Sequence, residues 1–187
     1  MKKKIFLLAA IVACIAILAA GTMAYYTSES TAHNVITSGG IDIEIVEKTV
    51  TKNGATIDFP EEGIKGVMPG TTVSKIVKVK NTGVSAAWVR VKVEATIISA
   101  SGEALSTEVM SYKTLSGWTY RDGYYYYNEP VGALQSTDVL FEEVQFDVKM
   151  GNAYQNCTAN LIVSAEAVQT ANNGATVLEA KGWPTAE

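Results

Sequence analysis

The sequence predicts an all-β fold: an antiparallel β-sandwich, jelly-roll-like, with at most one or two short helices. Apolar residues recur with period two in several separate stretches, the pattern of strands with one buried face. Asn-Gly, Asp-Gly and Asn-Thr-Gly clusters punctuate those stretches as turns do. Only one window, residues 103–113, carries helical spacing.

Ile41-Asp42-Ile43-Glu44-Ile45-Val46 opens the pattern, with three isoleucines on one face and two acids on the other. Val50 and Ile57 flank Lys52-Asn53-Gly54, whose Asn-Gly pair signals a hairpin. From Pro60 to Pro69-Gly70 the chain reads as a loop. Residues 73–80 alternate imperfectly, with Lys75, Lys78 and Lys80 among the apolar positions, and stop at Asn81-Thr82-Gly83.

Residues 87–98 form the clearest strand. Val89, Val91, Val93, Ala95 and Ile97 point one way, and Trp88, Arg90, Lys92, Glu94 and Thr96 the other, which predicts one core face and one mostly solvated face. Twelve residues span about 40 Å, long for a globular strand, and predict a bend or bulge. After a turn at 99–102, Leu105, Val109 and Tyr112 predict a short helix. Trp118-Thr119-Tyr120, Arg121-Asp122-Gly123 and Tyr124-Tyr125-Tyr126-Tyr127 read as strand, turn and strand. The closing strands are 144–150, with Phe146 and Val148 on one face, and 161–168, separated by Gly151-Asn152 and a short polar stretch.

The 187 residues suggest one domain with appendages. Met1-Lys2-Lys3-Lys4, the 16 uncharged residues from Ile5 to Ala20, and Gly21-Thr22-Met23-Ala24 have the form of a bacterial export signal, with cleavage between Ala24 and Tyr25. The apolar run is shorter than the roughly 20 residues that cross a bilayer, so no retained membrane anchor is expected. This divides the chain into a signal (1–24), a flexible N-terminal segment (25–40), a sandwich domain (41–170) and a C-terminal tail (171–187). Gly182-Trp183-Pro184-Thr185 resembles a wall-sorting signal only superficially, without the apolar tail and basic end.

All 19 acids but only 12 of the 15 Lys and Arg lie beyond Ala24, so the processed chain carries 12 − 19 = −7. Such a chain repels polyanions, and no nucleic-acid partner is expected. Of the two cysteines, Cys14 leaves with the signal and Cys157 remains alone, as a small buried hydrophobe or a stray thiol.

Residues for chemistry are sparse. One histidine, His33, lies in the N-terminal segment, where it reads as solvated, and no His-Glu-x-x-His, nucleophile elbow, phosphate loop or dinucleotide motif occurs. No cofactor, metal or catalytic residue is assigned. Glu61-Glu62 and Glu142-Glu143 are adjacent acids, which on a strand face opposite sides and read as solvated charges. The aromatics Trp118, Tyr120, Tyr124, Tyr125, Tyr126 and Tyr127 have two readings: a surface that stacks on sugars or a partner protein, or cross-strand pairs that fill the core. The segment 25–40 is rich in Ser and Thr, has Val35 and Ile36 as its large aliphatics, and ends in Gly39-Gly40. Extended, it reaches about 50 Å, so it is either a disordered terminus or a strand able to add to another subunit's sheet.

Several stretches resemble the TasA/camelysin (CalY) family of exported proteins. Gly21-Thr22-Met23-Ala24-Tyr25-Tyr26-Thr27 looks like the site of a SipW-type signal peptidase. Met68-Pro69-Gly70, Asn81-Thr82-Gly83, Trp88-Val89-Arg90-Val91, Gly151-Asn152-Ala153-Tyr154-Gln155 and Ala165-Glu166-Ala167-Val168-Gln169 follow in matching order. The resemblance implies a secreted, SipW-dependent, jelly-roll-like subunit of biofilm-matrix fibres, at the cell surface or in the extracellular matrix. It would assemble head-to-tail with itself or a related matrix subunit. It implies a donor strand from Tyr25 to about Gly39, with Tyr25, Tyr26, Thr27, Val35 and Ile36 as candidate contacts. Camelysin-like metallopeptidase activity, or a monomeric surface binding module, is the alternative.

Overall fold

Period-two alternation becomes two packed sheets. The computed structural model describes residues 35–37, 40–61 and 67–184, all within the unit His33–Glu187. The strands are β1 (Val35–Thr37), β2 (Ile43–Val50), β3 (Thr56–Asp58), β4 (Thr72–Asn81), β5 (Ala87–Ile98), β6 (Ala104–Leu105), β7 (Met110–Tyr112), β8 (Trp118–Arg121), β9 (Tyr124–Tyr127), β10 (Phe141–Phe146) and β11 (Thr158–Gln169). The first sheet has the order β1-β11-β5-β9-β8, with β6 also on β5, and the second the order β3-β2-β4-β10-β7. Every pairing is antiparallel except β1 with β11, so the fold is the expected antiparallel β-sandwich.

The two inner faces make one core. Ile43, Ile45, Val77 and Val79 of the second sheet meet Val89, Val91, Val163 and Ala165 of the first, with Leu140 and Phe141 fully buried among them. The chain crosses between sheets just after β4, where Asn81 is buried yet satisfied. Its Nδ2 donates to the Ser85 and Val131 carbonyls, and its Oδ1 accepts from the Gly83 N–H. Such a buried amide holds the crossover only because every group finds a partner.

Turn chemistry behaves as its residues require. Asp122 and Gly123 both adopt positive φ, 51° and 84°, the type I′ pair that matches strand twist in a two-residue hairpin. The Asn53-Gly54 hairpin joins β2 to β3, closed by Thr51 N–H donating to the Ala55 carbonyl at 2.8 Å.

Three local expectations are corrected. Residues 103–113 form β6, a turn and β7 instead of a helix, because β5 and β10 offer ladder partners that outweigh helical spacing in so short a window. β5 carries no bulge against β11: twelve consecutive pairs run from Ile98↔Thr158 to Ala87↔Gln169. β10 ends at Phe146, and Val148 is 76% exposed in a turn where Met150 supplies the buried side chain. The register shift between Phe141 and Glu143 is a bulge that interrupts regular alternation, while Glu142 and Glu143 are both exposed, as expected of solvated charges.

Candidate functional site: one face and one edge of the first sheet

Alternation alone predicts a mostly solvated outer face for β5. Toward the Ile98 end it is solvated, with Glu94 and Thr96 exposed; toward the Ala87 end it is covered by residues 171–184. Trp88, Tyr126, Val168, Val177 and Ala180 form a second small core there, with Tyr124 and Trp183 packed against it. Asn173 ties the covering strap into a closed loop: its Oδ1 accepts from Lys181 N–H at 2.8 Å, and its Nδ2 donates to the Lys181 and Gln169 carbonyls.

Arg90 lies at the centre of this cover. Its guanidinium carbon is 3.9 Å from the Tyr124 ring centroid and 4.7 Å from that of Trp183. Nε donates to Glu166 Oε2 at 2.7 Å, Nη1 to Tyr126 Oη at 3.3 Å, and Nη2 to the Pro184 carbonyl at 3.3 Å. Arg90 and Glu166 side chains are 11% and 14% exposed. Burial works against the charge, but the hydrogen bonds that Arg90 donates to Tyr126 and Glu166, together with the nearby carboxylate, more than offset it, holding the Arg90 pKa above its ordinary value. A planar cation that stacks on two rings while bonding edge-on is a task for Arg rather than Lys.

This places the six predicted aromatics. Tyr124 and Tyr126, the outer pair of the run, lie beneath the strap. Trp118 pairs with Tyr127 at 5.1 Å between centroids, and Tyr120 with Tyr125 at 4.8 Å. Tyr125 Oη in turn lies 3.1 Å from Tyr112 Oη. Tyr120 alone of the six is largely exposed, at 64%. Most of the group is cross-strand pairs and packing, as strand neighbours on one face commonly are. The part sequence reasoning missed is Arg90; its signal was Arg90 opposite Glu166 with Trp183 far along the chain, which no local window contains.

The edges of the sheets differ in a way that bears on assembly. β8 has four residues and ends in Arg121; β3 has three, with Lys48 bridging to Asp58; β7 has three and runs into Lys113. Short, charged strands are the usual protection of a sheet edge. The remaining edge is β11. Its outer side pairs with β1 only through Val35↔Ala165, Ile36↔Glu166 and Thr37↔Ala167. Beyond them residues 158–164, Thr-Ala-Asn-Leu-Ile-Val-Ser, have no ladder partner on that side among the described residues, and carry neither charge nor proline.

Of the predicted donor residues, Val35 and Ile36 are therefore in β1. Tyr25, Tyr26 and Thr27, the Ala24–Tyr25 cleavage site, the signal and His33 lie outside the described residues. Cys157 is half-buried against the core. Among the described residues no three His, Cys, Asp or Glu side chains come together as a metal would require, and no helix is long and apolar enough to cross a membrane. Compared with protein-family models, curated proteins and solved structures, the chain matches none.

Proposed function

We propose that this chain is a secreted structural protein, a fibre-forming subunit of an extracellular matrix that assembles by β-strand donation, as its resemblance to the TasA/camelysin family implies. A SipW-type signal peptidase would release it at Ala24–Tyr25. The observation that carries the reading is the edge of β11: an uncharged stretch, residues 158–164, beyond three positions, 165–167, that pair with β1, the stretch having no ladder partner on that side among the described residues.

The same pairing serves a monomer or a polymer. Only the short connection 38–42 joins β1 to β2, and within it Gly40 has φ +75°, a conformation that favours glycine. A change of backbone angles there carries β1 away from its own sandwich and onto β11 of the next copy. Exchange of an identical element between copies costs little, because the pairing given up within one copy is remade with its neighbour. A head-to-tail exchange that does not close on itself builds an open filament. Parallel addition to β11 supplies backbone hydrogen bonds for affinity, and alternate side chains for specificity.

Negative-stain electron microscopy of the chain 25–187 beside the chain lacking 25–38 tests this. Filaments are expected from the first alone, with both folded by circular dichroism. Filaments of equal yield from the truncated chain would end the reading.

A further inference from the structure

Two turns at the Asn81 end of β4 carry apolar side chains into solvent. Val84, in the crossover after β4, is 87% exposed, and Leu134, in the turn 132–135, is 69% exposed. Asn81 stitches the two turns together: its N–H donates to the Gln135 carbonyl at 2.8 Å, and its Nδ2 to the Ser85 and Val131 carbonyls. Leu134 has φ +60°, at the third position of a turn closed by Gln135 N–H on the Gly132 carbonyl at 3.1 Å. A positive φ there ordinarily calls for Gly or Asn, and a bulky residue is strained. With so much of its side chain in solvent, Leu134 finds little packing in its own copy to offset the strain, and backbone strain of this kind gathers at functional surfaces.

The opposite end of β4 has a counterpart, with Met68 64% and Val148 76% exposed. Thr71 N–H donates to the Met68 carbonyl at 3.1 Å and Gly70 N–H to the Phe146 carbonyl at 2.9 Å, so the turn before β4 and the turn after β10 are also joined. Gly70 has φ +76°, and a Cβ on it would lie 2.8 Å from Val148 Cγ1, so only glycine both makes the turn and seats Val148. β4 and β10 are antiparallel neighbours, and the ten residues of β4 set the two ends about 33 Å apart. Single exposed aliphatics are ordinary, but here a joined pair stands at each end of the same two strands. The charges beside the pairs are opposite. Asp42 is exposed and held against the Val84 turn, its carbonyl accepting from Thr82 and Gly83 N–H and its Oδ2 from the Thr82 hydroxyl. Lys149 is exposed beside Val148, while the Asp147 carboxylate is engaged within that turn, accepting Lys149 N–H at 2.8 Å. Neither Asp42 nor Lys149 has an ion-pair partner among the described residues.

We propose that the sandwich docks end to end on a second copy of itself, the turns of Val84 and Leu134 in one copy packing on those of Met68 and Val148 in the next, with Asp42 facing Lys149. The contact is separate from the β11 edge and does not depend on strand donation. Charge selects this pairing of ends: two like ends would set Asp42 against Asp42 or Lys149 against Lys149, and like charges across a contact suppress the wrong arrangement. A contact between unlike ends is heterologous, so each added copy leaves one end of each kind free for the next.

The test uses the chain 25–187 with Cys157→Ser, and places Val84→Cys and Met68→Cys on separate proteins, so that any disulfide joins two copies. In an oxidised mixture the mixed disulfide is expected in about tenfold excess over the disulfide of either protein with itself, the discrimination that like charges at the wrong ends impose. Leu134→Gly in the Val84→Cys protein suits the turn better and should raise its stability to urea, yet should lower the mixed disulfide about tenfold, because the leucine is lost from the contact. If Leu134 served only its own turn, the cross-link would not fall. Lys149→Glu in the Met68→Cys protein should lower the yield about threefold, and Asp42→Lys in the other protein should then restore it. Equal yields of mixed and self disulfides, or a mixed yield that Leu134→Gly leaves unchanged, overturn the proposal. The readout is one contact between two copies, so it decides the question whether or not strand donation builds filaments.

Discussion

The two ends of the chain meet the first sheet in different ways. The C-terminal strap lies across a face and is held by side chains: Trp183 beside Arg90, whose guanidinium also lies over Tyr124, Val177 and Ala180 with Trp88 and Val168, and Asn173 closing the loop. The N-terminal strand touches an edge, through three backbone register pairs. Packing on a face is specified by the shapes of many side chains and has one good solution. Pairing at an edge is specified mainly by backbone, and any strand with tolerable side chains can make it. The strap thus belongs to the fold, and the N-terminal strand is the element that the proposed function would exchange.

The largest effect that separates the two ends is truncation. Removing residues 171–187 should cost at least about 4 kcal/mol, since Val177 and Trp183 leave and Trp88, Tyr126 and Val168 are uncovered, at roughly 1.5–3 kcal/mol for each large apolar side chain. Removing 25–34 should cost less than about 1 kcal/mol, the range of changes that leave the core untouched. Urea denaturation of both truncations checks this, and equal losses would erase the distinction between cover and exchangeable strand.

Arg90→Ala comes next. It leaves Glu166 buried without its cation and removes the contacts of the guanidinium with the Tyr124 and Trp183 rings, and breaking such a pair costs about 3 kcal/mol. Arg90→Lys should recover only part of the loss, because an ammonium cannot stack on two rings and bond edge-on together. Full recovery in urea denaturation would show that charge alone holds the strap.

Ile162→Lys probes the other end. Residue 162 is on the outer side of β11, half-buried, within the uncharged stretch of the edge. A lysine there gives this edge the protection that the other edges already have. Filament yield by sedimentation should fall about tenfold while stability changes by less than about 1 kcal/mol, the usual limit for a surface substitution away from the core. A matching loss of stability would mean that Ile162 acts in folding.

The contrast also explains what the sequence could reveal. Alternation in β2, β4, β5 and β11 was legible because each strand displays its two faces within a few residues, and the Asn53-Gly54 and Asp122-Gly123 turns because their backbone conformations select those residues. The covered half of β5 was not legible. Trp88 and Arg90 look like the polar side of a strand until Trp183 and Pro184 return to them from far along the chain. Residues 103–113 misled for a related reason: Leu105, Val109 and Tyr112 have helical spacing, but their ladder partners lie in β5 and β10. The segment 25–40 was visible as a polar stretch without a local partner, whereas the part of the β11 edge left unpaired among the described residues appears only once the strand order is known.

The smallest expected effect concerns a region away from both the strap and the described part of the N-terminal strand. Tyr112 and Tyr125 share a hydrogen bond between hydroxyls on the inner side of the sandwich, and Tyr112 also stacks against Phe141. Burial, and then the bond to Tyr125, hold the Tyr112 phenol well above its ordinary pKa. In the unfolded chain it ionises near about pH 10. The folded protein therefore binds the proton more tightly, so the contribution to stability is complete below about pH 10 and declines as pH rises from there toward the folded value. Tyr112→Phe removes the ionisation and should make the alkaline decline shallower, read from urea midpoints between about pH 9 and about pH 11. The chain without residues 25–34 should show the unaltered decline, because the edge strand has no part in the tyrosine pair. A change in that decline on N-terminal truncation would mean that the edge strand helps to seal the core, and the exchangeable element would then be part of the fold as the strap is.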